Sequence, residues 1–210
     1  MFTIDINRIN AYEKEIEDTN TKLYDLINKG EVANLESVEF LKIVHSGILL
    51  EDLKFLCKHS GEQDFECRYA DAILRNMVDQ VIEFIYLVQN PTLIPNYMSK
   101  NYAENPPKEN DTAQELISKF KSLSGSRFGS KRKNVADMAA AINEKESVTD
   151  RLSLYDMFTI FSETNHNSYF IKIISMVGAT ETDEEETALT EFQANQLCIL
   201  FERFMKEYRK

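Results

Sequence analysis

A single run constrains this chain more than any other, residues Asp64 to Asn90, "DFECRYADAILRNMVDQVIEFIYLVQN". From Ala70 onward Ile73, Leu74, Met77, Val78, Val81, Ile82, Phe84, Ile85, Leu87 and Val88 recur at spacings of three and four. At about 100° per residue they cover roughly 220° of a helix surface, a wider arc than a surface helix carries. Such a helix has to sit in the middle of a bundle. The remaining arc carries Asp71, Arg75, Asn76, Asp79, Glu83 and Tyr86.

Other helical runs flank it. Ile4–Asn28 repeats apolar residues at helical spacing and meets a stop at Gly30, with "EKEIEDTNTK" as its solvated face. Glu36–His59 is a second helix, weakened by about 1 kcal/mol where Gly47 interrupts it. Pro91 and Pro95 end the central helix. Ala113–Leu123 and Val135–Glu144 read as short helices, Leu152–Val177 and Leu189–Tyr208 as longer ones. Six Gly and four Pro in 210 residues suit helices better than a turn-rich β fold, and no strand alternation is evident. The expected fold is all-α, a bundle of about six or seven helices in one domain over residues 1–210. The first 30 residues form its edge, and 104–112, 124–134 and 178–186 are loops.

Composition narrows the function classes. Apolar residues make up 43% and charged residues 28%, so the chain is globular. A formal charge of −11 argues against general affinity for nucleic acid or anionic membrane, because phosphate binding needs a positive footprint. A local footprint exists in "SGSRFGSKRKN", where Arg127, Lys131, Arg132 and Lys133 suit a phosphate backbone, or are a solvated loop. Cys57, Cys67 and Cys198 are odd in number and lack CxxC spacing, which predicts reduced thiols and no disulfide. His45, His59 and His166 have no ligand spacing, so neither a metal nor another cofactor is expected. No charged leader precedes an apolar run, and no stretch reaches the roughly 18 apolar residues of a membrane span. The default expectation is a cytoplasmic protein with no membrane contact.

Chemistry concentrates on two helices. On "LSLYDMFTIFSETNHNSYFIKIISMV" the residues Tyr155, Thr159, Ser162, His166 and Tyr169 fall within roughly 80° of one another. They lie beside the apolar Leu154, Met157, Phe158 and Phe161, so their polar groups are half-buried and need partners. On the central helix Asp71, Arg75, Asp79 and Glu83 stand four apart. As a surface ladder each pair contributes only about 0.2–0.5 kcal/mol. Turned inward, Arg75 and Asp79 join the His166 face in a seam, where Arg75 binds phosphate and His166 moves a proton in phosphodiester cleavage.

The same residues carry a resemblance. "ILRNMVDQVIEFIYLV" and "LYDMFTIFSETNH" resemble two helices of a mostly prokaryotic all-α family, grouped with the HEPN (higher eukaryote and prokaryote nucleotide-binding) superfamily and the AbiV-type abortive-infection proteins. The resemblance covers about residues 36–169; Arg75, Tyr155, Ser162 and His166 match, and Asp79 stands where a Glu is usual. It implies a bacterial protein acting on RNA or nucleotides, within defence against phage. HEPN ribonucleases place an Arg four to six residues before their His, where this chain has Ile160, Phe161 and Ser162. The competing reading is a bundle without catalysis that works by homodimerisation or partner binding. An Arg75 in open solvent favours the second reading, a buried one aimed at His166 the first.

Overall fold

A computed structural model describes residues 6–29, 37–59, 67–97, 114, 115, 118, 133–149, 151–163 and 191–210. The fold is all-α: α1 (Ile6–Asn28), α2 (Ser37–His59), α3 (Cys67–Gln89), a 3-10 helix (Pro91–Tyr97), α4 (Val135–Ala141), α5 (residues 154–163) and α6 (Glu191–Tyr208). Among the described residues strand pairing is limited to one isolated bridge between Val148 and Arg151. The Gly30 stop, the loops 104–112 and 178–186, and most of 124–134 lie outside the described residues. Of the expected helix Ala113–Leu123 only residues 114, 115 and 118 are described, as helical.

The central placement expected for α3 is observed. It packs on α2, α4 and α6, and Leu74, Met77, Val78, Val81, Ile82, Phe84 and Leu87 are buried. Its outer arc is narrower than the wheel suggests. Asp71 and Tyr86, assigned to the polar side, are only 5% and 2% exposed. Asp71 is compensated by Gln193, whose Nε2 donates to Asp71 Oδ1 at 2.6 Å, and the Tyr86 ring packs 6.2 Å from that of Tyr97. A wheel sorts residues by type and cannot see a partner that allows a polar group to sink.

Helix directions follow from contacts at both ends. α1 and α2 run antiparallel, with Glu13 against Lys54 at 2.6 Å and Asn20 Nδ2 donating to Ser46 Oγ at 3.0 Å. Asn20 is therefore buried, an exception within the run read as a solvated face. α3 and α6 run parallel: Asp71 meets Gln193 near their starts, and the Phe84 and Phe204 rings meet near their ends at 4.6 Å. Parallel neighbours need a long crossover, which here carries α4 and α5.

Where α3 stops, Asn90 Nδ2 donates to the Tyr86 carbonyl at 2.8 Å, satisfying a carbonyl that the ending helix leaves open. Pro91 ends the α-helix as expected by removing a donor, and the chain tightens into a 3-10 helix. Ile94 and Tyr97 are buried there, and Tyr97 donates its hydroxyl to Met138 Sδ at 3.7 Å.

Gly47 lies mid-helix in α2, and a Cβ built on it meets nothing within 4 Å. Helical glycine costs roughly 0.5–1 kcal/mol against alanine, mostly through unfolded-chain entropy. Gly47→Ala is expected to raise stability by about that amount, read as a higher denaturation midpoint with an unchanged slope.

α5 is set by the turn before it. α4 is capped at its start by Asn134, whose Oδ1 accepts from Asp137 N at 2.8 Å. It stops at Asn143, with φ 58, where Glu144 N donates to Ala139 O at 2.8 Å and Asn143 N to Ala140 O at 3.3 Å. This is the paired αL ending of a Schellman motif, three residues earlier than the sequence suggests. α5 starts at residue 154 under Ser153, whose Oγ accepts from Asp156 N at 3.0 Å. Asp156 Oδ2 accepts from Ser147 N at 3.1 Å and from the Ser147 hydroxyl, while Ser147 Oγ accepts from Ser153 N at 2.9 Å.

The Ser147 donors hold the Asp156 carboxyl below its usual range. A group depressed in the folded state stabilises above its unfolded pKa and stops doing so as pH falls through the folded one. Stability should therefore drop on acidification below about pH 4, and Asp156→Asn should flatten that limb. Acid titration of unfolding midpoints for both proteins checks this; parallel limbs would reject it.

Candidate functional site

Three residues of the face expected on α5 lie among the described residues. Tyr155, Thr159 and Ser162 are each partly exposed, and each hydroxyl near the backbone is satisfied within its own helix. Thr159 Oγ1 donates to Tyr155 O at 3.0 Å and Ser162 Oγ donates to Phe158 O at 2.6 Å. Having given its proton away, the Ser162 oxygen accepts across the seam from Arg75 Nε at 2.9 Å. Two residues 87 apart in sequence are thus joined, from α3 and α5.

Arg75 is held by that bond and by an aromatic face, its Cζ 4.8 Å from the Phe158 ring centroid. Stacking and the Nε bond fix the plane of the guanidinium. Among the described residues no carboxylate pairs with it and nothing accepts from its Nη groups. Three other arginines differ: Arg209 forks onto Glu15 at 2.8 and 2.6 Å, Arg151 meets Glu144 at 3.1 Å, and Arg203 bonds through both Nη groups.

His166 and Tyr169, the other members of the expected seam, lie outside the described residues, as do Arg127, Lys131 and Arg132. Asp79 is half-buried on α3. Lys133 is exposed; its backbone N donates to Tyr97 Oη at 3.3 Å and its Nζ sits 5.1 Å from the Tyr86 ring centroid.

The four-residue ladder on α3 does not run along one solvated edge. Asp71 goes to Gln193 on α6, Arg75 to Ser162 on α5, and Glu83 Oε1 to His45 Nε2 on α2 at 3.8 Å. Positions four apart drift by about 40° around a helix, so on a central helix they reach successive neighbours.

Two polar clusters escape sequence reading. His45 is 3% exposed and packs on Phe84 at 5.6 Å, beside Glu83. Its only signal is its place among apolar residues of α2. The second joins the turn to α6: Glu144 Oε2 accepts from Arg203 Nη1 at 3.1 Å and from Leu154 N at 3.3 Å, and Arg203 Nη2 donates to Leu152 O. Burial pulls the Arg203 guanidinium below its usual range, against the raising influence of Glu144. Nothing local marks this pair, whose members stand 59 residues apart.

Nucleophilic chemistry finds little support. Burial pushes the Cys57 thiol up, away from the reactive thiolate. Among the described residues no group of three His, Cys, Asp or Glu is placed to hold a metal, and no helix is long and apolar enough to cross a membrane. No known protein family, curated protein or solved structure matches the chain.

Proposed function

We propose that the chain is a HEPN-like helical bundle acting on RNA or nucleotides at the seam between α3 and α5, in a prokaryotic defence role. The observation that carries this reading is Arg75, anchored through Nε to Ser162, with nothing among the described residues accepting from its Nη groups. A guanidinium in that state is a ready partner for a phosphate, which it grips through paired N–H donors. His166 follows Ser162 by four residues in the sequence and would act as general acid or base on a phosphodiester held there. Arg75 takes the place of the cation that HEPN ribonucleases carry before their His. The stretch Arg127, Lys131, Arg132 and Lys133 would guide the strand.

One observation favours a second reading, association without catalysis. Val44, Ile48 and Phe55 form an exposed apolar stripe on α2. A homodimer or a partner protein would cover it.

The two readings part in one experiment. RNA degradation and unfolding curves are measured for wild type, Arg75→Ala and His166→Ala. On the catalytic reading His166→Ala stops cleavage with the fold intact, while Arg75→Ala stops it and costs about 1–2 kcal/mol of stability. No cleavage by wild type, with a dimer lost on Ile48→Glu, would leave the association reading standing.

A further inference from the structure

α2 is apolar on both of its sides. Leu49, Leu50, Leu53 and Leu56 are buried in the bundle, while Val44, Ile48 and Phe55 are exposed on its outer side. A helix that is apolar all round is one with neighbours all round. At about 100° per residue Val44, Ile48, Glu51 and Phe55 fall within roughly 60° of one another, with Gly47 alongside. Gly47 leaves a notch there, because a Cβ built on it meets nothing within 4 Å. Phe55 bounds the stripe at one end, its ring centroid 4.4 Å from that of His59. Glu51 stands exposed in the middle. The lysine nearly one turn on, Lys54, is drawn instead to Glu13 at 2.6 Å and Glu17 at 3.5 Å. Among the described residues no cation pairs with Glu51. Asp52 beside it is half-buried, and burial, then Glu51, push its carboxyl above the usual range.

We infer that this outer face of α2 docks an amphipathic helix of another protein, which sets a bulky apolar residue over Gly47 and a lysine or arginine against Glu51. This rests on the association reading of the stripe, names its partner, and stands apart from any chemistry at the seam. Apolar residues spaced by four, three and four present a ridge that a second helix matches with the same spacing. The Gly47 notch lets the two backbones approach closely at the middle of that ridge. Charge then selects among occupants. Two copies of α2 crossed at the middle of the stripe would set Glu51 against its own counterpart, and like charges facing one another are repelled. The formal charge of −11 on each copy opposes the same pairing at longer range. An anionic lipid surface meets the same objection. A basic amphipathic helix is drawn by the whole chain and finds in Glu51 a carboxylate ready for its central cation.

Calorimetry on the whole protein tests this with three synthetic peptides. The first is a helix with leucines at alternating three- and four-residue spacing and one central arginine. The second carries glutamate in place of that arginine, and the third is a scramble of the first. The arginine peptide is expected to bind with a Kd of about 1–100 μM, at least about tenfold more tightly than either control. Glu51→Lys should reverse the order of the arginine and glutamate peptides. Gly47→Leu enters open space in the free protein, so its unfolding midpoint should equal or exceed that of wild type, while binding of the arginine peptide falls at least about tenfold. No preference for arginine over glutamate, no reversal with Glu51→Lys, or full binding by Gly47→Leu would each overturn the inference. Sedimentation of the wild type separates it from the reading it rests on. A dimer that Ile48→Glu dissociates would overturn the foreign helix and keep association, whereas a monomer that binds none of the peptides would remove both. Peptide binding by a protein that also cuts RNA would uphold the docking face beside the catalytic seam.

Discussion

Glu144→Ala is expected to cost about 3 kcal/mol, a large share of the stability of a domain this size. Glu144 and Arg203 have side chains only 12% and 11% exposed, at 3.1 Å from one another. Removing the carboxylate strands a desolvated guanidinium, already drawn below its usual range by burial, and exposes Leu154 N and Arg151 to the loss of a shared acceptor. Much of the cost is that stranding and not the worth of the pair itself. Glu144→Gln keeps an acceptor for Leu154 N and should recover part of it. Replacing both Glu144 and Arg203 with apolar residues should cost less than Glu144→Ala alone. Chemical denaturation of the three variants gives the answer, and equal midpoints for wild type and Glu144→Ala would show the cluster to be idle.

The second large effect is expected at Phe84. Its ring is fully buried between His45 of α2 and Phe204 of α6, at 5.6 and 4.6 Å. It is the side chain on which three helices converge. Phe84→Ala should lower stability by about 3–5 kcal/mol, combining lost transfer energy with the cavity left behind. Phe84→Leu, which fills most of that space, should cost markedly less. Thermal unfolding separates the two, and similar midpoints for both would mean the core collapses around the gap.

These two sites differ in how far the sequence announces them. Phe84 belongs to a run whose apolar spacing alone marks a central helix, because burial of that run depends on residue type. The link from Arg75 to Ser162 is legible in part, since both residues fall on polar faces bordering apolar stripes. Legibility fails where a polar group is sunk by a distant partner. Asp71 and Tyr86 sort with charged and polar neighbours on a wheel, yet Gln193 and Tyr97 take them inside. Glu144 and Arg203 leave no trace at all, since their meeting depends on how α5 folds back along α6. The 3-10 helix after Pro91 is hidden for another reason: proline forbids the α-helix without saying what replaces it.

The parallel pairing of α3 with α6 bears on how such a chain reaches its native state. Its contacts bridge 122 residues, from Asp71 to Gln193. α1, α2 and α3 are joined by short connections and can associate early, since closing short loops sacrifices little chain entropy. Until α6 arrives, the side of α3 bearing Phe84 stays open to water, an adhesive surface on a half-assembled intermediate. Refolding should then show a fast phase for the first three helices and a slower one in which α6 docks. Crowded half-assembled chains would compete for that open side, so recovery on refolding should fall as protein concentration rises.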